Sequence, residues 1–183
     1  MGETVIQVSS LGKRIKGKTI LEDISFEINK GDCVALIGPN GAGKTVLMSC
    51  ILGDKKPSSG QVLIDGKAGK AKNKIAVLLQ ENTIPNSLKV EELIAFFQSI
   101  SDNPLTNQEV QDLLQFKEDQ YQQFADKLSG GQRRLLAFVL CLIDKPKILF
   151  LDEPTAGMDT STRQRFWEIV NDLKRAGTTI LYS

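Results

Sequence analysis

The sequence GPNGAGKT begins at Gly38 and ends at Thr45, directly after the short apolar run 33–37. It fits the pattern G-x-x-x-x-G-K-[ST] in full, and a helical pattern follows it. Glycines let successive backbone N–H groups point inward around an anion, and the start of the following helix adds its positive end. An apolar strand, this loop and a helix together predict a phosphate-binding site in an α/β fold.

The loop predicts both a nucleotide and a metal ion as ligands. The ammonium group of Lys44 would reach the β- and γ-phosphates of ATP, and the hydroxyl of Thr45 would bind Mg²⁺. The alternative is a glycine-rich turn without a ligand, but the Lys-Thr pair and the preceding strand argue against it. The predicted ATP-binding residues of the loop are Gly38, Pro39, Asn40, Gly41, Ala42, Gly43, Lys44 and Thr45.

A second apolar run, 148–151, ends in Asp152 and Glu153. A carboxylate at the end of a buried strand is costly unless a cation lies nearby. Asp152 is therefore predicted to bind the Mg²⁺ of the phosphate loop through water, and Glu153 is predicted to polarise the attacking water as general base. The alternative interpretation is that both acids are simply solvated. The phosphate loop upstream favours the functional interpretation.

A third string, LSGGQ, begins at Leu128 and precedes an apolar helix. Ser129, Gly130, Gly131 and Gln132 would form a second anion-binding helix start. A chain with one phosphate loop does not need a second such site for the same ATP, so this face is predicted to complete the site of another subunit. An ordinary helix N-cap is the alternative explanation of Ser-Gly before a helix.

Strand and helix patterns alternate along the chain, which predicts an α/β fold with a parallel sheet and an inserted helical subdomain. One domain is expected over residues 1–183, with the helical subdomain at about 82–145. The chemistry is expected at the carboxyl edge of the parallel sheet. Thr160 or Ser161 is predicted to cap the last helix.

Composition excludes several classes of function. The chain is 41% apolar and 25% charged, which is typical of a soluble globular domain, and its net charge of +1 argues against a general affinity for nucleic acid. No apolar run approaches the roughly 20 residues that span a bilayer, so a partner must supply any membrane part. A basic cluster is predicted to be a solvated loop because no aromatic residue interleaves with it. Its members are Lys67, Lys70, Lys72 and Lys74.

The three cysteines have spacings that fit neither a metal site nor a disulfide framework. Cys33 and Cys141 lie inside apolar segments and are predicted to be small core residues. Reduced, cytosolic surroundings follow as the default.

The three strings resemble those of the ATP-binding subunits of ABC transporters, and the likeness covers essentially the whole chain. This family resemblance implies a P-loop ATPase core for the parallel sheet and an N-terminal antiparallel β subdomain. The resemblance makes residues 38–45 the Walker A loop, 148–153 the Walker B strand and 128–132 the signature motif. Gln80 matches the Q-loop glutamine, which contributes to Mg²⁺ binding and senses the membrane partner. Asp159 matches the D-loop aspartate, which reaches across a head-to-tail dimer.

The resemblance implies an ATPase that works with partners. ATP hydrolysis would be coupled to transport, a second ATP-binding subunit would complete each site, and transmembrane permease subunits would dock on the helical subdomain. Such a subunit is cytoplasmic and peripheral, at the inner face of the cell membrane. The strings LLQEN at 78–82 and QRRL at 132–135 are similar to the exporter branch, which moves drugs, peptides or polysaccharides.

Two departures from the family pattern carry expectations. Ile15 stands where the family usually stacks an aromatic ring on adenine, which would weaken base selection. The family continues its last core strand into a switch histidine, whereas this chain contains no histidine and ends at Ser183. We therefore expect a truncated chain that binds nucleotide but hydrolyses it poorly.

Two other functions stay open on the sequence. One is a soluble ABC ATPase acting in translation or in chromosome and repair work, against which a single motif set and the lack of heptads count. The other is a hydrolysis-deficient nucleotide-binding fragment.

Overall fold

The computed structural model describes residues 2–68, 75–80, 84–85 and 87–183. Three of the four lysines of the basic cluster, Lys70, Lys72 and Lys74, lie outside the described residues. The described chain forms two four-stranded sheets with helices packed around them. One sheet is antiparallel and the other parallel, as the predicted fold class requires.

The antiparallel sheet has the strand order β2-β1-β4-β5. Its strands are β1 (Thr4–Ile15), β2 (Lys18–Asn29), β4 (Ser59–Ile64) and β5 (Lys67–Ala68). Lys16 and Gly17 join β1 to β2 with φ angles of 49° and 79°. Two positive φ values in a two-residue connection give a hairpin turn whose twist matches that of the strands.

Both strands of this hairpin are 12 residues long, and their pairing is irregular in the middle. Ser10 and Asp23 have φ angles of 46° and 48°, and the register of the pair shifts between Val8 and Leu11. Such irregularities break the alternation of polar and apolar residues while the strands stay paired. The period-2 pattern therefore shows only part of each strand.

The parallel sheet has the strand order β3-β8-β7-β6. Its strands are β3 (Cys33–Ala35), β6 (Ile75–Leu78), β7 (Ile148–Leu151) and β8 (Thr179–Tyr182). All four residues of β7 are buried, as the apolar run predicts for a strand covered on both faces. The phosphate loop follows β3 and the acidic pair follows β7, so both lie at the carboxyl edge of this sheet.

Six α-helices among the described residues connect or cover the sheets. They are α1 (Lys44–Ile51), α2 (Val90–Ser99), α3 (Asn107–Leu114), α4 (Glu118–Gln122), α5 (Gly130–Leu142) and α6 (Thr160–Arg175). The helices α2 to α4 lie between β6 and α5 in the chain, in the segment where a helical insert is predicted. Among the described residues, no helix is both long and apolar enough to cross a bilayer.

Two hydrophobic clusters lie on opposite faces of β7. Leu149 and Leu151 belong to the cluster that contains α5 and α6, and Ile148 and Phe150 belong to the cluster that contains α1 and the antiparallel sheet. Alternate side chains of one strand point to opposite faces of its sheet, so β7 contributes to both clusters.

The three cysteines are free, and burial raises the pKa of each thiol. Cys33 and Cys141 pack against the larger cluster but are only partly buried, whereas Cys50 is the one of the three that is fully buried. Burial raises the pKa of the Cys141 thiol to about 11. A thiol with so high a pKa carries almost no thiolate near neutral pH and is a poor nucleophile.

Candidate functional site

The phosphate loop leads into α1 without a side-chain cap. The residue before α1 is Gly43, with a φ angle of 93°, and no side chain accepts hydrogen bonds from the first helical N–H groups. A Cβ atom at Gly43 would lie 2.9 Å from the Cδ2 of Leu21, so a larger residue would collide as well as strain the backbone. The N–H groups at the start of α1 are therefore left for a ligand, and an anion suits them best.

The side chain of Lys44 lies against the phosphate loop. Its ammonium group donates hydrogen bonds to the carbonyl oxygens of Gly38, at 2.8 Å, and Pro39, at 3.1 Å. These bonds hold a positive charge beside the uncapped start of α1. The loop thus presents N–H groups and an ammonium group in one place, which is the chemistry that binds a polyphosphate.

Asp152 joins the phosphate loop to the ends of two strands. Only 3% of its surface is exposed, and its carboxylate accepts hydrogen bonds from two hydroxyl groups. The Thr45 hydroxyl donates to Oδ2 at 2.8 Å, and the Ser183 hydroxyl donates to Oδ1 at 2.6 Å. The backbone N–H of Glu153 donates to the same Ser183 hydroxyl at 3.3 Å. The structure therefore brings Thr45 and Asp152 together, as their predicted shared role requires.

Ser183 is a site residue that sequence reasoning did not identify. It follows β8, the neighbour of β7 in the parallel sheet, so its hydroxyl reaches the residues that follow β7. A hydroxyl residue at the end of an apolar strand is the signal that could have identified it.

The residues present fit a magnesium ion. Mg²⁺ prefers oxygen ligands, and the hydroxyl oxygen of Thr45 and the carboxylate of Asp152 already contact each other beside the phosphate loop. Each of these oxygens keeps lone pairs that their mutual hydrogen bond does not use.

Glu153 and Gln80 form a second pair at the same edge of the sheet. The Gln80 side-chain amide donates a hydrogen bond to Glu153 Oε2 at 2.9 Å. Glu153 has a φ angle of 44°, a left-handed conformation that costs a non-glycine residue about 1–3 kcal/mol.

The phosphate loop, Gln80 and Glu153 surround a cavity of about 420 Å³, a volume within the usual range for small-molecule sites. A larger cavity of about 620 Å³ contains none of the predicted site residues and lies beside Val5, Leu142 and Ala176. We therefore identify the smaller cavity as the candidate site. It is lined by Ile20, Asn40, Gly41, Gly43, Lys44, Thr45, Val46, Gln80 and Glu153.

Ile20 is the isoleucine that lines this cavity from the antiparallel sheet. Ile15 ends β1, pairs with Lys18 across the hairpin and is partly exposed. The expectation that Ile15 faces the adenine base stays a prediction.

The signature residues form a capped helix start. Ser129 precedes α5, and its hydroxyl oxygen accepts a hydrogen bond of 3.2 Å from the Gln132 backbone N–H. The Gln132 side-chain oxygen accepts in return from the Ser129 N–H at 3.1 Å. This reciprocal pair is a capping box, so the helix-cap explanation of Ser-Gly holds. The predicted second role, toward the ATP of another subunit, stays a prediction.

Asp159 caps α6, so the prediction of Thr160 or Ser161 as the cap is wrong. Its carboxylate accepts hydrogen bonds from the side chains and backbone N–H groups of Ser161 and Thr162. The side-chain hydrogen bonds from Ser161 and then Thr162 lower the pKa of Asp159. The same carboxylate lies beside Gly131, since a Cβ atom placed there would be 3.1 Å from Oδ1. The structure thus brings Asp159 and the signature residues together. None of them is among the residues that line the cavity.

Comparison with known proteins gives a consistent result. A family model described as ABC transporter matches residues 21–156. The chain is 34% identical over 188 residues to the Nod factor export ATP-binding protein I of Ralstonia nicotianae, covering 97% of this chain and 58% of that protein. It is 34% identical to the high-affinity branched-chain amino acid transport ATP-binding protein BraG of Pseudomonas aeruginosa, covering 87% and 73%. It is 33% identical to the spermidine/putrescine import ATP-binding protein PotA of Thermotoga maritima, covering 97% and 50%.

Solved structures give the same fold. A putative ABC transporter ATP-binding protein from Pyrococcus furiosus superposes with a TM-score of 0.84 at 29% identity, covering 97% of this chain and 90% of that one. The structure of an ATP-binding subunit of an ABC transporter superposes with a TM-score of 0.83 at 27% identity, covering 98% and 79%.

Proposed function

This chain belongs to the ABC transporter family of ATP-binding domains, and from this premise we propose that it binds ATP with Mg²⁺ and hydrolyses it, slowly because the chain contains no histidine, as part of a subunit that powers a membrane transporter. The observation that carries the proposal is the contact between Thr45 and Asp152. It joins the phosphate loop to the acidic strand end at a cavity that Lys44 also lines.

ATP binding is proposed to start at the phosphate loop. The N–H groups at the start of α1 bind phosphate oxygens, and Lys44 exchanges the carbonyl oxygens of Gly38 and Pro39 for the β- and γ-phosphates. Thr45, Asp152 and Gln80 would hold Mg²⁺, with Asp152 acting through water. When bound, Mg²⁺ neutralises charge on the transferred phosphoryl group.

Hydrolysis is proposed to use Glu153 as the general base. Its carboxylate would accept a proton from the attacking water, and the hydrogen bond from Gln80 holds that carboxylate toward the cavity. This fixed orientation of the Glu153 carboxylate favours catalysis, because a general base must lie within hydrogen-bond reach of the proton that it removes.

The proposed partners follow from the family. A second ATP-binding subunit would pair head to tail, so that Ser129, Gly130, Gly131, Gln132 and Asp159 of one subunit face the ATP of the other. Permease subunits would provide the membrane part and contact the helical segment 82–145. This arrangement puts the chain at the cytoplasmic face of a membrane.

We propose export as the direction of transport. The string QRRL after the signature supports this direction, as does a relative named for Nod factor export. A relative named for spermidine and putrescine import has nearly the same identity, so identity alone does not separate the two directions. Substrate uptake into inside-out vesicles that contain the chain and its permease, on addition of ATP, would support export; its absence there, with uptake into right-side-out vesicles, would contradict it.

Titration calorimetry with Mg-ATP tests the nucleotide site directly. The wild-type chain should bind, and Lys44→Ala should weaken ATP binding by about 10- to 100-fold, because it removes a charge-assisted contact to the phosphates. Lys30→Ala is the matched control: it removes the same charge from an exposed side chain paired with Glu3. A folded wild-type chain that gives no heat with Mg-ATP would contradict the proposal.

Affinity purification from detergent extracts tests the transport role. Recovery of a membrane protein with several spans supports a transporter subunit. Recovery of ribosomes or DNA instead would favour the soluble class of ABC ATPase.

A further inference from the structure

Arg134 lies on α5 and connects that helix to the ends of two neighbouring strands. Its guanidinium group donates hydrogen bonds to five backbone carbonyl oxygens. The acceptors are Leu79 and Gln80, which follow β6, and Asp152, Glu153 and Pro154, which follow β7.

All three guanidinium nitrogens take part. Nη1 lies 2.5 Å from the oxygen of Leu79 and 3.1 Å from that of Gln80. Nη2 lies 3.0 Å and 3.3 Å from the oxygens of Asp152 and Glu153, and Nε lies 3.2 Å from that of Pro154. The guanidinium is a rigid, planar group. Its hydrogen bonds therefore fix the segments after β6 and β7 relative to each other and to α5.

The surroundings favour a charged Arg134 in spite of partial burial. Burial lowers the pKa of the guanidinium from its ordinary value, and the nearby Cys141, Asp152 and Glu153 counteract the shift. The group remains protonated, because a guanidinium keeps its proton in proteins. Hydrogen bonds from a charged donor are stronger than those between neutral groups, so this contact is well suited to hold two loops.

The two segments that Arg134 binds carry the reactive pair of the site. Gln80 donates to Glu153 across the gap between them at 2.9 Å, and both side chains line the candidate cavity. Arg134 contacts the backbone of both residues from the α5 side. Arg134 therefore holds the backbone of both residues from one side.

We propose that Arg134 is a positioning residue for ATP hydrolysis, which sets the Gln80 amide and the Glu153 carboxylate at their working separation. The proposal rests on the proposed function and adds a residue to it. Since α5 begins directly after Ser129, Arg134 also links this pair to the helix that carries the signature residues. A shift of α5 would therefore move both loops.

The test separates phosphate binding from the later steps. Arg134 contacts the segments after β6 and β7, so Mg-free ATP should bind to Arg134→Met within about threefold of the wild-type affinity. Misplacement of Gln80 and Asp152 should reduce the gain in affinity that Mg²⁺ gives. Hydrolysis in a single-turnover assay should fall about 100-fold, the typical cost of a reacting group misplaced by an ångström.

Two further variants exclude a loss of fold as the explanation. Arg134→Lys keeps the charge but not the fork, so its hydrolysis rate should lie between those of wild type and Arg134→Met. Arg133→Met removes the same group from the adjacent residue of α5, which donates to the carbonyl oxygen of Asp126 at 2.9 Å. It should leave hydrolysis and the Mg²⁺ effect close to wild type.

Chemical rescue gives a readout that a general stability defect would not show. Millimolar methylguanidinium should restore hydrolysis in Arg134→Ala by about tenfold, because the free cation can occupy the vacated carbonyl sites. It should have no such effect on Arg133→Ala.

Wild-type hydrolysis in Arg134→Met would overturn the inference. Equal loss of Mg-free binding and of hydrolysis in Arg134→Met and Arg134→Lys, without rescue of Arg134→Ala, would also overturn it. A wild-type chain that fails to bind Mg-ATP at all would instead overturn the proposed function.

Discussion

The hydroxyl of Thr45 donates a hydrogen bond of 2.8 Å to Asp152 across a sequence separation of 107 residues. Thr45 lies in the first turn of α1, after the phosphate loop, and Asp152 follows the buried strand β7. The contact therefore ties together the two parts of the chain that are proposed to hold Mg-ATP.

Thr45→Val should destabilise the fold and reduce the gain in ATP affinity that Mg²⁺ gives. The change keeps the shape of the side chain but leaves a buried carboxylate oxygen of Asp152 without this donor, which costs about 1–3 kcal/mol of unfolding free energy. Urea unfolding measures the first effect, and ATP titrations with and without Mg²⁺ measure the second. Thr45→Ser keeps the hydroxyl and should recover most of both; equal behaviour of the two variants would refute the assigned role.

Glu153→Gln should separate ATP binding from hydrolysis. The amide keeps the size of the side chain but cannot accept a proton, so the hydrolysis rate should fall by about 10²- to 10⁴-fold. ATP affinity should stay within about threefold of wild type, because the phosphate contacts are unchanged. A single-turnover assay and calorimetry measure the two quantities. Glu118→Gln, an exposed change in α4, is the control, and a similar loss of rate there would argue against a specific role for Glu153.

The stability of the protein should depend on Asp159 in a pH-dependent way. Its pKa is lower in the folded chain than in the unfolded chain, because Ser161 and Thr162 donate hydrogen bonds to the ionised carboxylate. The resulting stabilisation is complete above the ordinary carboxyl pKa of about 3.9 and is lost as the pH falls toward the lowered value.

Thermal unfolding of Asp159→Ala and wild type at several pH values measures this contribution. The melting temperature of the variant should be lower than that of wild type at pH 7, and the difference should shrink in acid. Asp159→Asn keeps a capping side chain without the charge, so it should melt between the two at neutral pH. A difference that stays constant with pH would contradict the assignment.

Phe166→Ala should be strongly destabilising. The ring is fully buried and packs against Phe138, with ring centroids 4.4 Å apart. Truncation of a buried phenylalanine costs about 3–5 kcal/mol through lost burial and the cavity left behind. Phe96→Ala removes the same ring from a position that is 54% exposed and should cost much less. Urea midpoints compare the two, and similar losses would show that the helix packing is assigned wrongly.

The location of the site could be predicted because its signals are local. The loop 38–45 and the acids after β7 are short strings attached to apolar strands, and parallel strands bring their carboxyl ends to one edge. The burial of β7 on both faces follows from its composition alone.

Other features depend on which residues meet in three dimensions, and local patterns do not contain that information. Ser183 and Arg134 contact groups that follow strands elsewhere in the chain. Arg134 lies in the string QRRL, but that string does not indicate which carbonyl oxygens its side chain contacts. The role of Asp159 across a dimer stays a prediction, and its additional role as the cap of α6 depends on contacts that the sequence pattern does not show. The β1–β2 pairing continues past Ser10 and Asp23, where the alternation pattern is interrupted.

The placement of β7 between the two hydrophobic clusters also governs how the molecule loses its structure. Leu149 and Leu151 anchor one cluster, and Ile148 and Phe150 anchor the other, all within four consecutive residues. If β7 left one cluster, its side chains would leave the other cluster as well, so the two clusters should unfold together. We therefore expect a single cooperative heat-absorption peak in calorimetry, rather than separate melting of the antiparallel sheet and the helical layer.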